Sequence, residues 1–170
     1  MSNTIDGSSG IASLNLAELG PNTSLQIMFA ALQLEMAETA KTQAMDRMDS
    51  IAKCQEEQKH VSQLLNEARQ AKADAKAKDC CTPMSSDMIE YMDKNNLAYD
   101  KAGGDYIHTE EEWDVAITAL ESHLEQLGTS TQQEMVYVQD FMGQYNSYLQ
   151  GANTQIANSN QTLTSLAKGM

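Results

Sequence analysis

Three histidines, three cysteines and one run of glutamates are the side chains on which catalysis or metal binding would have to rest. His60, His108 and His123 are scattered, and none stands at a ligand spacing from a cysteine or another histidine. A tetrahedral zinc site needs about four donors within reach, and no CxxC or HxxxH pattern supplies even half of one. Cys80 and Cys81 are adjacent and lie close to Lys76 and Lys78, which permits a mildly reactive thiol. No neighbouring histidine and acid combine to turn either into a nucleophile. A bond between them would close a strained vicinal ring, and the odd thiol count leaves Cys54 over. That pattern fits synthesis in a reducing compartment. Glu110, Glu111 and Glu112 are consecutive, so on a helix their carboxylates splay apart instead of converging as an acid/base pair. Gly103-Gly104 is too short for a phosphate cradle and lacks the Lys and Ser/Thr that would follow one. Arg69, Lys72, Lys76 and Lys78 read as the solvated, dipole-compensating end of a helix. The expectation is a non-enzymatic chain with no catalytic residue, no metal and no cofactor.

The elements that would position any site are long helices. Ala, Leu, Gln, Glu, Lys and 11 Met dominate, Pro21 and Pro83 are the only prolines, and aromatic residues make up 5%. Such a composition favours helix and offers no sustained β-branched run. Asn22, Thr23 or Ser24 can cap a first helix. From there an apolar stripe runs through Leu25, Phe29, Leu32, Met36, Ala40, Ala44, Met48, Ile51, Cys54, Gln58, Val61, Leu65, Ala68, Ala71 and Ala75 in steps of three or four. The first helix is expected over 22–77, on the order of 80 Å long at 1.5 Å per residue. A helix of that length has no core of its own and needs a partner, either within a hairpin or from another chain. Its methionines suit a face that adapts to more than one partner.

Residues 78–109 read as a connector. Pro83 stops the first helix, Ser85-Ser86-Asp87 can cap a short helix through Met92, and Asn95-Asn96 should end it. At roughly thirty residues it is long for a loop, so partial structure or mobility is expected. Thr109-Glu110-Glu111-Glu112 forms a capping box for a second long helix over 110–167. Its seam is expected at Trp113, Ile117, Leu120, Leu124, Leu127, Thr131, Met135, Val138, Met142, Tyr145, Leu149, Ala152, Ile156, Leu163 and Leu166, continuous through Gly128, with a helix-turn-helix break at Gly128 as the alternative. The fold class is all-α: an elongated, coiled-coil-like antiparallel helical hairpin with a partly irregular connector.

The formal charge of −13 is uneven, with net −5 over 1–101 and net −8 over 102–170. An acidic surface repels phosphate backbones and anionic headgroups, which argues against nucleic acid. No apolar run approaches a membrane span of about 20 residues. Residues 1–21 are rich in Ser, Asn, Gly and Thr and lack a basic and apolar leader, so they read as a disordered polar segment. The same composition suits a non-cleaved signal for a specialised secretion machine.

The layout resembles the type III secretion translocator filament and needle-tip family (EspA/SseB-like). Ser86-Asp87-Met88-Ile89-Glu90-Tyr91-Met92-Asp93-Lys94-Asn95-Asn96 is similar to that family's short acidic helix after its proline-containing break. Trp113-Asp114-Val115-Ala116-Ile117-Thr118-Ala119-Leu120-Glu121 resembles the start of its last helix, and the Gln/Met/Asn/Ser-rich C-terminal helix is similar too. The order of features matches from about residue 22 to the C-terminus. The resemblance implies a virulence-associated protein made in the bacterial cytoplasm, held by a dedicated secretion chaperone and secreted to the bacterial cell surface. There it would self-assemble, as a homo-oligomer or polymer, into a filament or tip that meets needle or translocon proteins. The connector is reduced relative to that family, and Cys80-Cys81 is not part of its pattern.

Two sets of residues are expected to carry assembly. The self-assembly or chaperone-binding stripe is Met135, Val138, Met142, Tyr145, Leu149, Ile156 and Leu163. The first-helix packing stripe is Leu25, Phe29, Leu32, Met36, Met48, Ile51, Val61 and Leu65. A cytosolic helical adaptor or secretion chaperone that binds a client helix is the alternative.

Overall fold

A computed structural model describes residues 25–169, which form an all-α helical hairpin. Helix α1 spans Leu25–Lys78, a short α2 spans Ser86–Lys94, and α3 spans Glu110–Lys168. Expectations for residues 1–21 and for the cap at 22–24 lie outside the described residues. Helix α3 runs through Gly128, Gly143 and Gly151 without interruption.

Local chemistry explains where each helix starts and stops. The α1 C-terminus closes as a Schellman turn: Cys80 N–H donates to Ala75 C=O and Asp79 N–H to Lys76 C=O, with Asp79 left-handed at φ 49°. Helix α2 starts where the Ser85 hydroxyl accepts from Met88 N–H. It ends in a second Schellman turn, where Asn96 (φ 53°) tolerates the left-handed conformation and Leu97 N–H reaches Met92 C=O. Helix α3 begins with a reciprocal capping box, Thr109 N–H to Glu112 Oε2 at 2.8 Å and Glu112 N–H to Thr109 Oγ1 at 3.4 Å.

The chain divides into two compact units, one of residues 48–135 and one whose described residues are 25–47 and 136–169. In the first, here the connector unit, α1 and α3 lie antiparallel. Arg69, Lys72 and Lys76 of α1 pair with Glu121, Asp114 and Glu110 of α3 at 2.7, 2.6 and 2.8 Å, the numbers rising on one helix as they fall on the other. These bases therefore bridge helices instead of ending in solvent alone. Exposed pairs of this kind each contribute little, typically ~0–1 kcal/mol.

The connector itself is more ordered than its length implies. Its Met84, Met88, Met92 and Tyr99 are buried with Val61, Leu64, Leu65, Trp113, Ala116, Ile117 and Leu120 in one core. A two-residue ladder, β1 (Thr82–Pro83) with β2 (Ile107–His108), joins its ends antiparallel. The ladder is too short to be read from β-branched periodicity. Trp113 Nε1–H donates to Thr82 Oγ1 at 2.9 Å, and the Thr82 hydroxyl donates to Ala71 C=O at 2.9 Å, so the buried indole is satisfied through the ladder.

The second unit, here the alanine unit, buries small side chains: Ala30, Ala31, Ala37, Ala40 and Ala44 of α1, with Ala152 and Ser159 of α3. Gly151 admits Gln33, since a Cβ there would lie 2.5 Å from Gln33 Nε2. The Arg47 guanidinium sits 5.0 Å from the Tyr137 ring centroid.

Candidate self-association surface

The buried rows of both helices obey strict heptads. On α1, Ala30, Ala37, Ala44, Ile51, Gln58 and Leu65 recur every seventh residue, interleaved with Ala40, Arg47, Cys54, Val61, Ala68 and Ala75; all are buried or half-buried. On α3 the matching rows are Ile117, Leu124, Thr131, Val138, Tyr145, Ala152 and Ser159, with Trp113, Leu120, Leu127, Glu134, Phe141, Tyr148 and Gln155. Two polar members meet: Gln58 Nε2–H donates to Thr131 Oγ1 at 2.9 Å. A partly buried polar pair of this kind favours one helix register, because a slip would break the bond and leave the buried Thr131 hydroxyl without this donor.

The stripe expected on α1 takes four consecutive steps of four, Met48 to Ala44 to Ala40 to Met36 to Leu32. Alternating steps of three and four keep a seam facing its partner, whereas repeated fours walk it round the helix. The structure accordingly buries Val61 and Leu65, half-buries Ile51, and leaves Leu25, Phe29, Leu32, Met36 and Met48 exposed. On α3, Val138, Met142, Tyr145, Leu149 and Ile156 are half-buried, and Met135 and Leu163 are exposed. The seven-residue phase was present in the sequence at Ala30, Ala37 and Ala44, but alanine is a weak apolar marker beside Phe29 and Met36.

Leu25, Met28, Phe29, Leu32 and Met36 follow the i, i+3, i+4, i+7, i+11 pattern of one helical face. Their exposures run from 39% at Met36 to 78% at Leu25. On α3, Val136, Tyr137, Leu163 and Leu166 of the same unit are also exposed. Scattered exposed apolar residues are ordinary, whereas these five share one helical face and make it a candidate surface.

Charge sharpens the contrast. The described residues of the alanine unit hold four acids and three bases, net −1, while residues 48–135 hold eighteen acids and eight bases, net −10. The apolar face thus lies on the unit that repels a second copy least.

The chemistry-bearing side chains of the connector unit serve packing. Tyr91 O–H donates to Glu57 Oε1 at 3.0 Å, which leaves its oxygen to accept from His123 Nε2 at 3.0 Å. His60 meets the Tyr91 ring edge-on at 5.1 Å between centroids. Burial first, then the hydrogen bond and charge of Glu57, push the Tyr91 phenol well above its ordinary range. His108 is buried, with Nε2 bonded to Asp100 C=O at 2.9 Å and Nδ1 without a partner. The Tyr91 cluster joins α1, α2 and α3 through residues too far apart in sequence for spacing to announce it. Among the described residues, no group of three His, Cys, Asp or Glu side chains could hold a metal ion. No helix there is long and apolar enough to cross a membrane.

Comparison with family models, curated proteins and solved structures returned no match for this chain.

Proposed function

We propose that this chain is a structural protein that acts by helix-helix self-association. Following the resemblance in its sequence, we place it as a secreted component of a type III secretion system. It would form a filament or needle-tip assembly that supports translocation into host cells, after passage with a dedicated chaperone. The observation that carries the self-association is the row Leu25, Met28, Phe29, Leu32 and Met36, exposed on the nearly uncharged unit. A second copy is the partner this favours, because docking through that unit keeps the two acidic connector units from being the contact.

Substitutions at Val138 or Leu149 would not isolate assembly, since both are half-buried and a charge there would also strain the hairpin. Leu32→Glu with Met36→Glu is the cleaner test, because both side chains are exposed. Light scattering across concentration should show wild-type oligomers and a variant dissociating at least about tenfold more readily, with unchanged helix content by circular dichroism. A wild-type protein that stays monomeric throughout would overturn self-association. Removal of residues 2–20 should abolish export by a type III apparatus while folding is retained; continued export would overturn the secretion assignment.

The alternative of a cytosolic adaptor or chaperone draws on Met28, Met36, Met45 and Met48, exposed thioethers that adapt to varied helical clients. A monomer that captures an apolar client helix, and loses it with the same double substitution, would favour that alternative.

A further inference from the structure

Cys80 and Cys81 belong neither to the buried core of the connector unit nor to the exposed apolar row of α1. Their sulfurs lie 3.5 Å apart, and Cys80 is exposed. The backbone is held on both sides. Cys80 N–H is bonded to Ala75 C=O at 3.1 Å in the Schellman turn, and Thr82, which follows Cys81, belongs to the β1–β2 ladder. The Thr82 hydroxyl is also tied to Ala71 and Trp113. The two thiols are thus presented side by side on a fixed turn.

That geometry disfavours a disulfide. Neighbouring Cα atoms across a trans peptide stand about 3.8 Å apart, short of the ~4.4–6.8 Å that disulfides usually span. A centre that sits between the sulfurs has no such difficulty. Two bonds of ~2.3 Å to a pyramidal or tetrahedral atom, the length usual for sulfur on zinc, set the sulfurs roughly 3.3–3.8 Å apart. A linear two-coordinate ion would need them farther apart, on opposite sides. A zinc ion asks for about four ligands, and no third His, Cys, Asp or Glu among the described residues completes a metal-binding group. A centre that brings its own third substituent suits a two-thiol site.

We propose that Cys80 and Cys81 form a bidentate site for a thiophilic trivalent centre of the organoarsenical class. With phenylarsine oxide as the probe, two arsenic–sulfur bonds replace the arsenic–oxygen bonding. Both thiol protons leave with that oxygen as one water, and no oxidation state changes. Hydrogen bonding to Cys80, then desolvation, holds the Cys81 thiol above its ordinary range, which slows its attack, since the thiolate is the nucleophile; the site rests on the spacing of the two sulfurs.

The test titrates the full chain with phenylarsine oxide. Intact mass should show one adduct, and the free thiol count should fall from three to one, leaving Cys54. Cys80→Ser, at an exposed position where folding is not in question, and Cys81→Ser should each weaken binding about 100-fold or more, as loss of the second arm of a chelate does. Cys54→Ser should leave binding unchanged, and a dithiol but not a monothiol should strip the adduct. Binding by Cys80→Ser as tight as wild type, an adduct on Cys54, or three thiols still free after titration would each overturn the proposal.

Discussion

The two units show how one pair of helices can be held together in different ways. In the connector unit, Trp113, Leu64, Met88 and Leu120 are almost wholly buried, and the connector closes over them. In the alanine unit, the buried side chains of α1 are single methyl groups, and Leu25, Met28, Phe29, Leu32 and Met36 are exposed. Burying a Leu, Phe or Met side chain is worth ~1.5–3 kcal/mol, against about 0.8 for a single methylene-sized group. The first unit therefore spends its apolar surface on itself, and the second keeps it available. Stability and partner binding draw on the same side chains, so a helix face can serve one purpose fully only by giving up the other.

The largest effect should come from breaking the connector unit. Trp113→Ala should cost about 3–5 kcal/mol, read as a fall in chemical-denaturation midpoint, because it opens a cavity and leaves Thr82 without its indole partner. Phe29→Ala in the alanine unit should cost about 1 kcal/mol or less, since half of that ring is already in water. Equal losses from the two would erase the distinction. A smaller change of opposite sign should follow at Gln33, whose Oε1 is buried without a hydrogen-bond partner. Gln33→Leu should stabilise the alanine unit by about 1 kcal/mol, seen as slower amide exchange there.

The smallest effect is a pH dependence confined to the connector unit. The Tyr91 phenol is held up in the folded state, so its contribution is complete below the ordinary tyrosine range and is lost as pH rises through the raised folded value. Absorbance titration should show a late tyrosinate step that Tyr91→Phe removes, with α2 loosening as the step proceeds. If α2 stays docked while Tyr91 ionises, the cluster is not what holds it.

Much of the framework was legible in the residues. The absence of proline between Ser24 and Thr82, and again after Pro83, left long helices unopposed, and Thr109 with Glu112 marked where α3 begins. Gln58 stood out as the polar residue in an apolar row, and the structure pairs it with Thr131. What spacing alone missed was which of two neighbouring rows faces inward on the N-terminal half of α1. Ranking by side-chain size selects Phe29, Leu32 and Met36, whereas the observed contact is made through Ala30, Ala37 and Ala44. The order in the connector was equally hidden, because Met84, Met88, Met92 and Tyr99 reach a core shared by both long helices.

Helix content, helix termini and acidic character follow from local composition, because capping, propensity and charge act over a few residues. The choice of buried face and the register favoured by Gln58 and Thr131 were settled only on folding. Each depends on how surfaces distant in sequence meet, and no short window of residues contains that information.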